Sequence, residues 1–176
     1  VHHLNTSDGK MSKSKGEFLT VSLLEEKGYD PLAYRYFCLQ SHYRKALVFT
    51  WENLDNAAAA YNKLIGRIAA LKPEDGPVDE AAMKPYREKF GQQMGNDLNT
   101  SMGVTCIFDV LKAKLSDAAK LALIGDFDSV LSLSLLEKAA AKRAEAAQAK
   151  TTTAEGGYTV TGEGDPAIDA LVLQRY

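Results

Sequence analysis

Six apolar residues, Trp51, Leu54, Ala58, Tyr61, Ile65 and Ile68, follow one another at steps of three and four. That spacing lines them up on one face of an α-helix, and a stripe of this length has to be covered by other helices. The chain is thereby directed toward a helical bundle. Pro73, Gly76 and Pro77 end the first helix. Asp79 is placed to cap a second, whose apolar side is Met83, Tyr86, Phe90 and Met94, with Pro85 expected to kink it or mark its true start. Thr100 is a candidate cap for a third helix carrying Met102, Cys106, Ile107, Val110 and Leu111. A further apolar helical run is expected from about Val130 to Leu136. It grades into an alanine-rich stretch, residues 139–149, which favours helix but buries little and reads as an exposed extension.

Before residue 50 the texture is mixed. Phe18-Leu19-Thr20-Val21 is short and β-prone, and Ser22 followed by Glu25 fits a capping box for a brief helix that stops at Gly28. Asp30-Pro31 is a second helix start, with Leu32, Tyr36, Leu39 and Tyr43 recurring at helical spacing. Leu47-Val48-Phe49 completes a small β-α-α-β unit. At the other end, residues 151–165 hold four glycines and five threonines and read as a flexible loop. Asp165-Pro166 then opens a helix with Ile168, Leu171 and Val172 that stops short at Tyr176. The predicted fold class is mainly α: a small α/β module over residues 1–50, then an antiparallel helical bundle over 51–176 that reads as truncated at its C-terminal end.

Hydrophobic residues make up 45% of the chain and charged residues 25%, the balance of a soluble globular protein. The net charge is −2, so composition offers no strong basic footprint for nucleic acid. Cys38 and Cys106 stand far apart and outside any C-x-x-C pair, which fits small core residues in a reducing, cytoplasmic setting. Nothing approaches the roughly 18 apolar residues of a membrane span. The opening Val1-His2-His3-Leu4 resembles no targeting peptide, and the chain reads as starting inside something longer.

The sharpest motif is Lys10-Met11-Ser12-Lys13-Ser14, inside a polar stretch (residues 5–17) that reads as a mobile loop, with Gly9 before the motif and Gly16 after it. Two ammonium groups three residues apart, with hydroxyls and free backbone N–H groups between them, suit a polyphosphate. A loop that closes over a nucleotide makes its best contacts as charge builds on the phosphates. An arbitrary pair of lysines reads as a solvated loop; the complete five-residue match tips the balance. The motif resembles the second signature of class I aminoacyl-tRNA synthetases. The resemblance implies a loop that stabilises departing pyrophosphate, with Lys13 the principal catalytic contributor and Lys10 assisting, and with Lys10, Met11, Ser12, Lys13 and Ser14 binding ATP.

The likeness narrows further. Asp30-Pro31 with residues 32–37, Ser41-His42-Tyr43-Arg44, Asn53-Leu54, Asn96-Asp97-Leu98-Asn99-Thr100, Val130-Leu131 before Leu135-Leu136, and Asp165 to Arg175 together resemble cysteinyl-tRNA synthetases. The resemblance implies a stem-contact module over residues 1–50 and an anticodon-binding-like bundle over 51–176, in a carboxy-terminal fragment that lacks most of the catalytic domain. The parent would join L-cysteine to its tRNA through an adenylate, using ATP and Mg²⁺, as a monomer without membrane association. Zinc belongs to the missing catalytic half; no metal is expected in this fragment, and adjacent His2 and His3 lack a third ligand. Three departures stand out: Glu17 where asparagine is usual, Ser132 where glycine is frequent, and Ser101 where proline is common.

His42 and Arg44 admit two readings of equal weight, contact with the inner side of a tRNA or a helix C-terminus complemented by positive charge. Trp51, Tyr61 and Phe90 read as core rather than base-stacking platforms. Lys138, Lys142, Arg143 and Lys150 suit a phosphate backbone no better than a solvated helix face. Rival readings are the cysteine ligase of mycothiol synthesis, a synthetase for another amino acid such as methionine, and a non-catalytic helical interaction module.

Overall fold

The computed structural model describes residues 4–6, 9–10 and 20–151. Three short strands form one sheet in the order β2-β1-β3. β1 (Leu4–Thr6) pairs antiparallel with β2 (Gly9–Lys10), Asn5 facing Lys10, and parallel with β3 (Leu47–Phe49), Asn5 facing Val48. Parallel neighbours need a crossover, and α1 (Val21–Glu26) and α2 (Pro31–Leu39) lie on it. Two expectations are corrected here. Part of the supposed loop over residues 5–17 is strand, and the strand partner of Leu47–Phe49 is Leu4–Thr6 rather than a segment at 18–21. Thr20 caps α1 and Val21 is its first residue; Phe18 and Leu19 lie outside the described residues.

The cap of α1 is Thr20, not Ser22: its hydroxyl accepts the Leu23 N–H at 3.1 Å, while Ser22 sits inside the helix. The far end closes as a Schellman motif, with Gly28 N–H on the Glu25 carbonyl and Tyr29 N–H on that of Leu24, both at 2.9 Å. Gly28 takes φ +80°, the conformation for which glycine has no side-chain penalty. α2 starts as expected, the Asp30 carboxylate accepting the Leu32 N–H at 2.9 Å with Pro31 at the first position. It ends at Leu39, so Tyr43 falls in the following turn, and Ala33, Tyr36 and Phe37 form the buried face.

α3 (Trp51–Ala69) is capped by Thr50 and buries Leu54, Ala57, Tyr61, Leu64, Ile65 and Ile68. α4 (Glu80–Gly95) starts at the Asp79 cap, so Pro85 lies within the helix rather than at its start. α5 (Thr100–Lys112) is capped by Asn99; Thr100 is its first residue, and its hydroxyl donates to the Leu39 carbonyl at 3.0 Å. Met102 is exposed, and the buried stripe is Gly103, Val104, Cys106, Ile107 and Val110. Gly103 lets α4 and α5 approach closely: a Cβ there would lie 2.5 Å from Met94 Cε.

The expected helical run from Val130 to Leu136 is not continuous. A separate helix, α6 (Asp117–Leu131), precedes it, Ser132 and Ser134 turn through φ +53° and +49°, and α7 (Leu135–Thr151) begins anew. α6 packs against α4, α5 and α7, with Phe127 stacked on Phe90 at 4.2 Å between centroids. α7 lies along α3. Ala139 is fully buried, and Arg143 donates to the Leu71 carbonyl at 3.1 Å, so the alanine-rich stretch is docked at its start rather than a free extension. Beyond that, residues 140–142 and 144–147 are exposed. The result is a mainly α bundle with one core that runs from Leu24 through α3 to Ala139. Among the described residues, no helix is long and apolar enough to cross a membrane. The expected loop at 151–165 and helix from Asp165 lie, after Thr151, outside them.

Candidate functional site

Lys10 is the last residue of β2, which among the described residues stands at the edge of the sheet. Met11, Ser12, Lys13 and Ser14 lie outside the described residues. Of this motif the structure places Lys10 alone, in β2, which is held to β1, and β1 to β3.

His42 and Arg44 are brought together with a residue that the sequence reading did not single out. They follow α2, and the turn between α4 and α5 carries Asp97 onto them. Arg44 Nε lies 2.7 Å from Asp97 Oδ2, and Arg44 Nη2 donates to Oδ1 at 3.1 Å, a bidentate pair. The Tyr43 hydroxyl donates to Asp97 Oδ1 at 2.5 Å and accepts from Arg44 Nε at 3.1 Å. The His42 ring stacks on that of Tyr43 at 4.8 Å, and its Nδ1 accepts the Arg44 backbone N–H at 3.2 Å. That assigns the imidazole proton to Nε2 in the neutral ring, which lies 3.6 Å from Asp97 Oδ2.

Asp97 and Leu98 both take left-handed backbone conformations, φ 54° and 51°. For non-glycine residues that is costly, more so for leucine than for aspartate. The cluster nevertheless stays open to solvent: the Arg44 side chain is 66% exposed and that of Asp97 42%. The Tyr43 hydroxyl, then the Arg44 guanidinium, hold the Asp97 carboxyl below its ordinary pKa. Asp97 in turn, followed by Tyr43, pushes Arg44 upward. At neutral pH the pair is fully ionised.

Other candidates separate clearly. Lys138 is tied to Asp30 at 2.6 Å and Arg143 to a backbone carbonyl. Lys142 Nζ lies over Gly66, 3.6 Å from where a Cβ would stand. The side chain of Lys150 lies outside the described residues. Tyr61 and Phe90 are buried core, and Trp51 packs half-buried against it. Cys106 is buried, and Cys38 packs half-buried against the core. Among the described residues, no group of three or more His, Cys, Asp or Glu side chains is arranged to hold a metal ion.

No family model matches the chain. It is 45% identical over 133 residues to the cysteine–tRNA ligase of Novosphingobium aromaticivorans, covering 73% of this chain and 27% of that protein. It is 40% identical over 128 residues to cysteine–tRNA ligase 1 of Burkholderia lata, covering 73% and 26%. With the cysteine–tRNA ligase of Borreliella burgdorferi it shares 35% over 142 residues, covering 73% and 30%. The chain thus spans less than a third of the length of the curated relatives it matches. By sequence, the chain is homologous to a segment of cysteine–tRNA ligases that makes up 26 to 30% of those relatives' length.

Proposed function

We propose that this chain supplies two parts of a cysteine–tRNA ligase: the clamp on the phosphate side of the ATP site, and a tRNA-docking surface. The observation that carries the reading is the 45% identity to a cysteine–tRNA ligase, joined to a complete Lys-Met-Ser-Lys-Ser motif whose first lysine lies in β2. In the whole protein, the cysteine carboxylate oxygen attacks the α-phosphorus of ATP. The bond from that phosphorus to the bridging oxygen breaks, and the electron pair leaves with pyrophosphate. Lys13, assisted by Lys10, neutralises charge gathering on the departing phosphates, while Ser12, Ser14 and the loop's backbone N–H groups supply further donors. The tRNA terminal hydroxyl then attacks the cysteinyl carbonyl and releases AMP.

The division of labour falls at residue 50. The module before it carries the clamp, together with His42 and Arg44 facing tRNA; the helices after it form the anticodon-binding-like bundle. Mg²⁺, when bound with ATP, supplies further charge neutralisation at the phosphates. Zinc belongs to the catalytic portion that this chain does not contain, and the setting is the cytoplasm.

Two assays test the proposal. The intact protein that carries this chain is expected to charge cognate tRNA with labelled cysteine in an ATP-dependent reaction, and to leave an amino-sugar acceptor untouched. Transfer to the sugar amine with none to tRNA refutes the reading. The isolated 176-residue chain, without the catalytic half, is expected to show no cysteine-dependent ATP–pyrophosphate exchange; measurable exchange would place adenylate chemistry within this segment.

A further inference from the structure

We propose that Asp97 is a positioning residue for tRNA binding, its carboxylate fixing the Arg44 guanidinium so that the remaining N–H groups of Arg44 meet an RNA phosphate. The inference rests on the reading of His42 and Arg44 as tRNA-facing, and adds a residue from a different helix pair.

Both Asp97 oxygens engage Arg44, at 2.7 and 3.1 Å, and the Tyr43 hydroxyl braces the same carboxylate. The guanidinium carbon lies 5.5 Å from the Tyr43 ring, and the His42 ring stacks on that same tyrosine. A guanidinium has five N–H donors. Asp97 takes one on Nε and one on Nη2, which leaves three, on a side chain 66% exposed. An exposed arginine so tied is unusual, because long side chains ordinarily keep their rotamer freedom in water.

The turn that brings Asp97 here is itself strained. Two successive non-glycine residues at positive φ persist only where surrounding contacts over-determine them. The contacts are the cluster on one side and the Thr100 hydroxyl on the Leu39 carbonyl on the other, which dock the α4–α5 turn onto the end of α2. Strain at an exposed polar turn is a mark of a pre-organised site.

Asp97 also carries a negative charge near the proposed phosphate. At this exposure, repulsion across the width of a guanidinium is screened by water and salt, whereas an untethered arginine would lose its rotamer freedom on binding. Positioning therefore outweighs repulsion. A phosphate group, two of whose oxygens can accept from neighbouring N–H groups at once, is the ligand that a pre-set arginine fork selects.

The test uses the intact protein and Asp97→Asn. Asparagine keeps the shape and tolerates positive φ, but loses the charge and one acceptor. Expected is a rise in KM for tRNA of about three- to tenfold, the scale of one immobilised long side chain, with kcat for charging retained. Arg44→Ala is expected to raise the tRNA KM at least as much, and the double variant no further than Arg44→Ala alone, because the two act as a unit. If Arg44→Ala leaves the tRNA KM unchanged, Arg44 does not face tRNA and the underlying reading fails. If Arg44→Ala raises KM while Asp97→Asn leaves it unchanged, lowers it, or adds independently, only the positioning inference is overturned. Loss of kcat and of pyrophosphate exchange together in Asp97→Asn shows a residue that supports the fold alone, and overturns it too.

Discussion

Replacing Asp128 with alanine is expected to destabilise the chain more than its half-exposed position suggests. The carboxylate sits in the last turn of α6, where its sign is wrong for the helix dipole, and beside the first turn of α7, where its sign is right. These terms, each about 0.3–1 kcal/mol, largely cancel. What remains are two hydrogen bonds: Oδ1 accepts the Leu133 N–H and Oδ2 the Leu135 N–H, both at 2.7 Å. The side chains of both leucines are fully buried, so the turn cannot swing out to find water. Bonds to a charged acceptor contribute about 1.5–3 kcal/mol each; allowing water to replace part of this, the loss is about 2–3 kcal/mol in total. Other contacts converge on the same turn, Tyr61 on the Leu133 carbonyl at 2.5 Å and Arg35 on that of Leu131 at 2.8 Å. The damage should therefore spread to α2 and α3. Urea unfolding followed by helical circular dichroism should show an unchanged slope and a lower midpoint, and Tm should fall by roughly 5–10 °C. Asp128→Asn, which keeps one acceptor oxygen, should lose about half as much. A change below about 0.5 kcal/mol, the level of ordinary surface substitutions, would refute the reasoning.

Ser132→Gly is expected to stabilise by about 0.5–1 kcal/mol in the same assay, since Ser132 takes φ +53° at the end of α6 and glycine carries no penalty there; a destabilised variant contradicts the turn geometry. Burial first, then the nearby Cys38, pushes the Tyr34 phenol up to about 12, and burial raises Tyr61 as well. A raised phenol favours the folded state while protonated, so its stabilisation is complete below about pH 10 and is lost as pH rises toward those raised values. The urea midpoint should fall over that interval, less steeply in Tyr34→Phe; identical slopes for variant and wild type would contradict the burial.

The one-faced elements were the legible ones. α3 packs against α2 and α7, and α4 against α5 and α6, each leaving one side in solvent, so a three-and-four spacing could be read directly, and Asp30 and Asp79 announce their helices through side chains that accept the first free N–H groups. α6 defeated the same logic. It packs against three helices, so besides the stripe of Leu123, Ile124, Phe127 and Leu131 it carries Leu121 and Ala122 on other faces, packed half-buried against the core, and no clean polar back remains. The turn at 132–134 was hidden because its two serines are a weak turn signal set in an apolar run without glycine or proline, the left-handed geometry being held by Asp128, Tyr61 and Arg35. Sheet pairing was obscured because strands of two or three residues are too short to display alternation. At the candidate site, Ser41–Arg44 and Asn96–Thr100 each drew notice, yet nothing in either reveals that residues 53 apart share one carboxylate. A contact of that range is a property of the packed helices, not of a local pattern.

The central claim concerns charge at the phosphates, and single-turnover formation of cysteinyl-adenylate measures it most directly. In the intact protein bearing Lys10→Ala and Lys13→Ala together, the adenylation rate is expected to drop by a factor on the order of 10²–10³. Transfer to tRNA from adenylate supplied ready-made should continue at close to the parental rate. An adenylation rate equal to that of the unsubstituted protein would contradict the assignment of this loop to the chemistry.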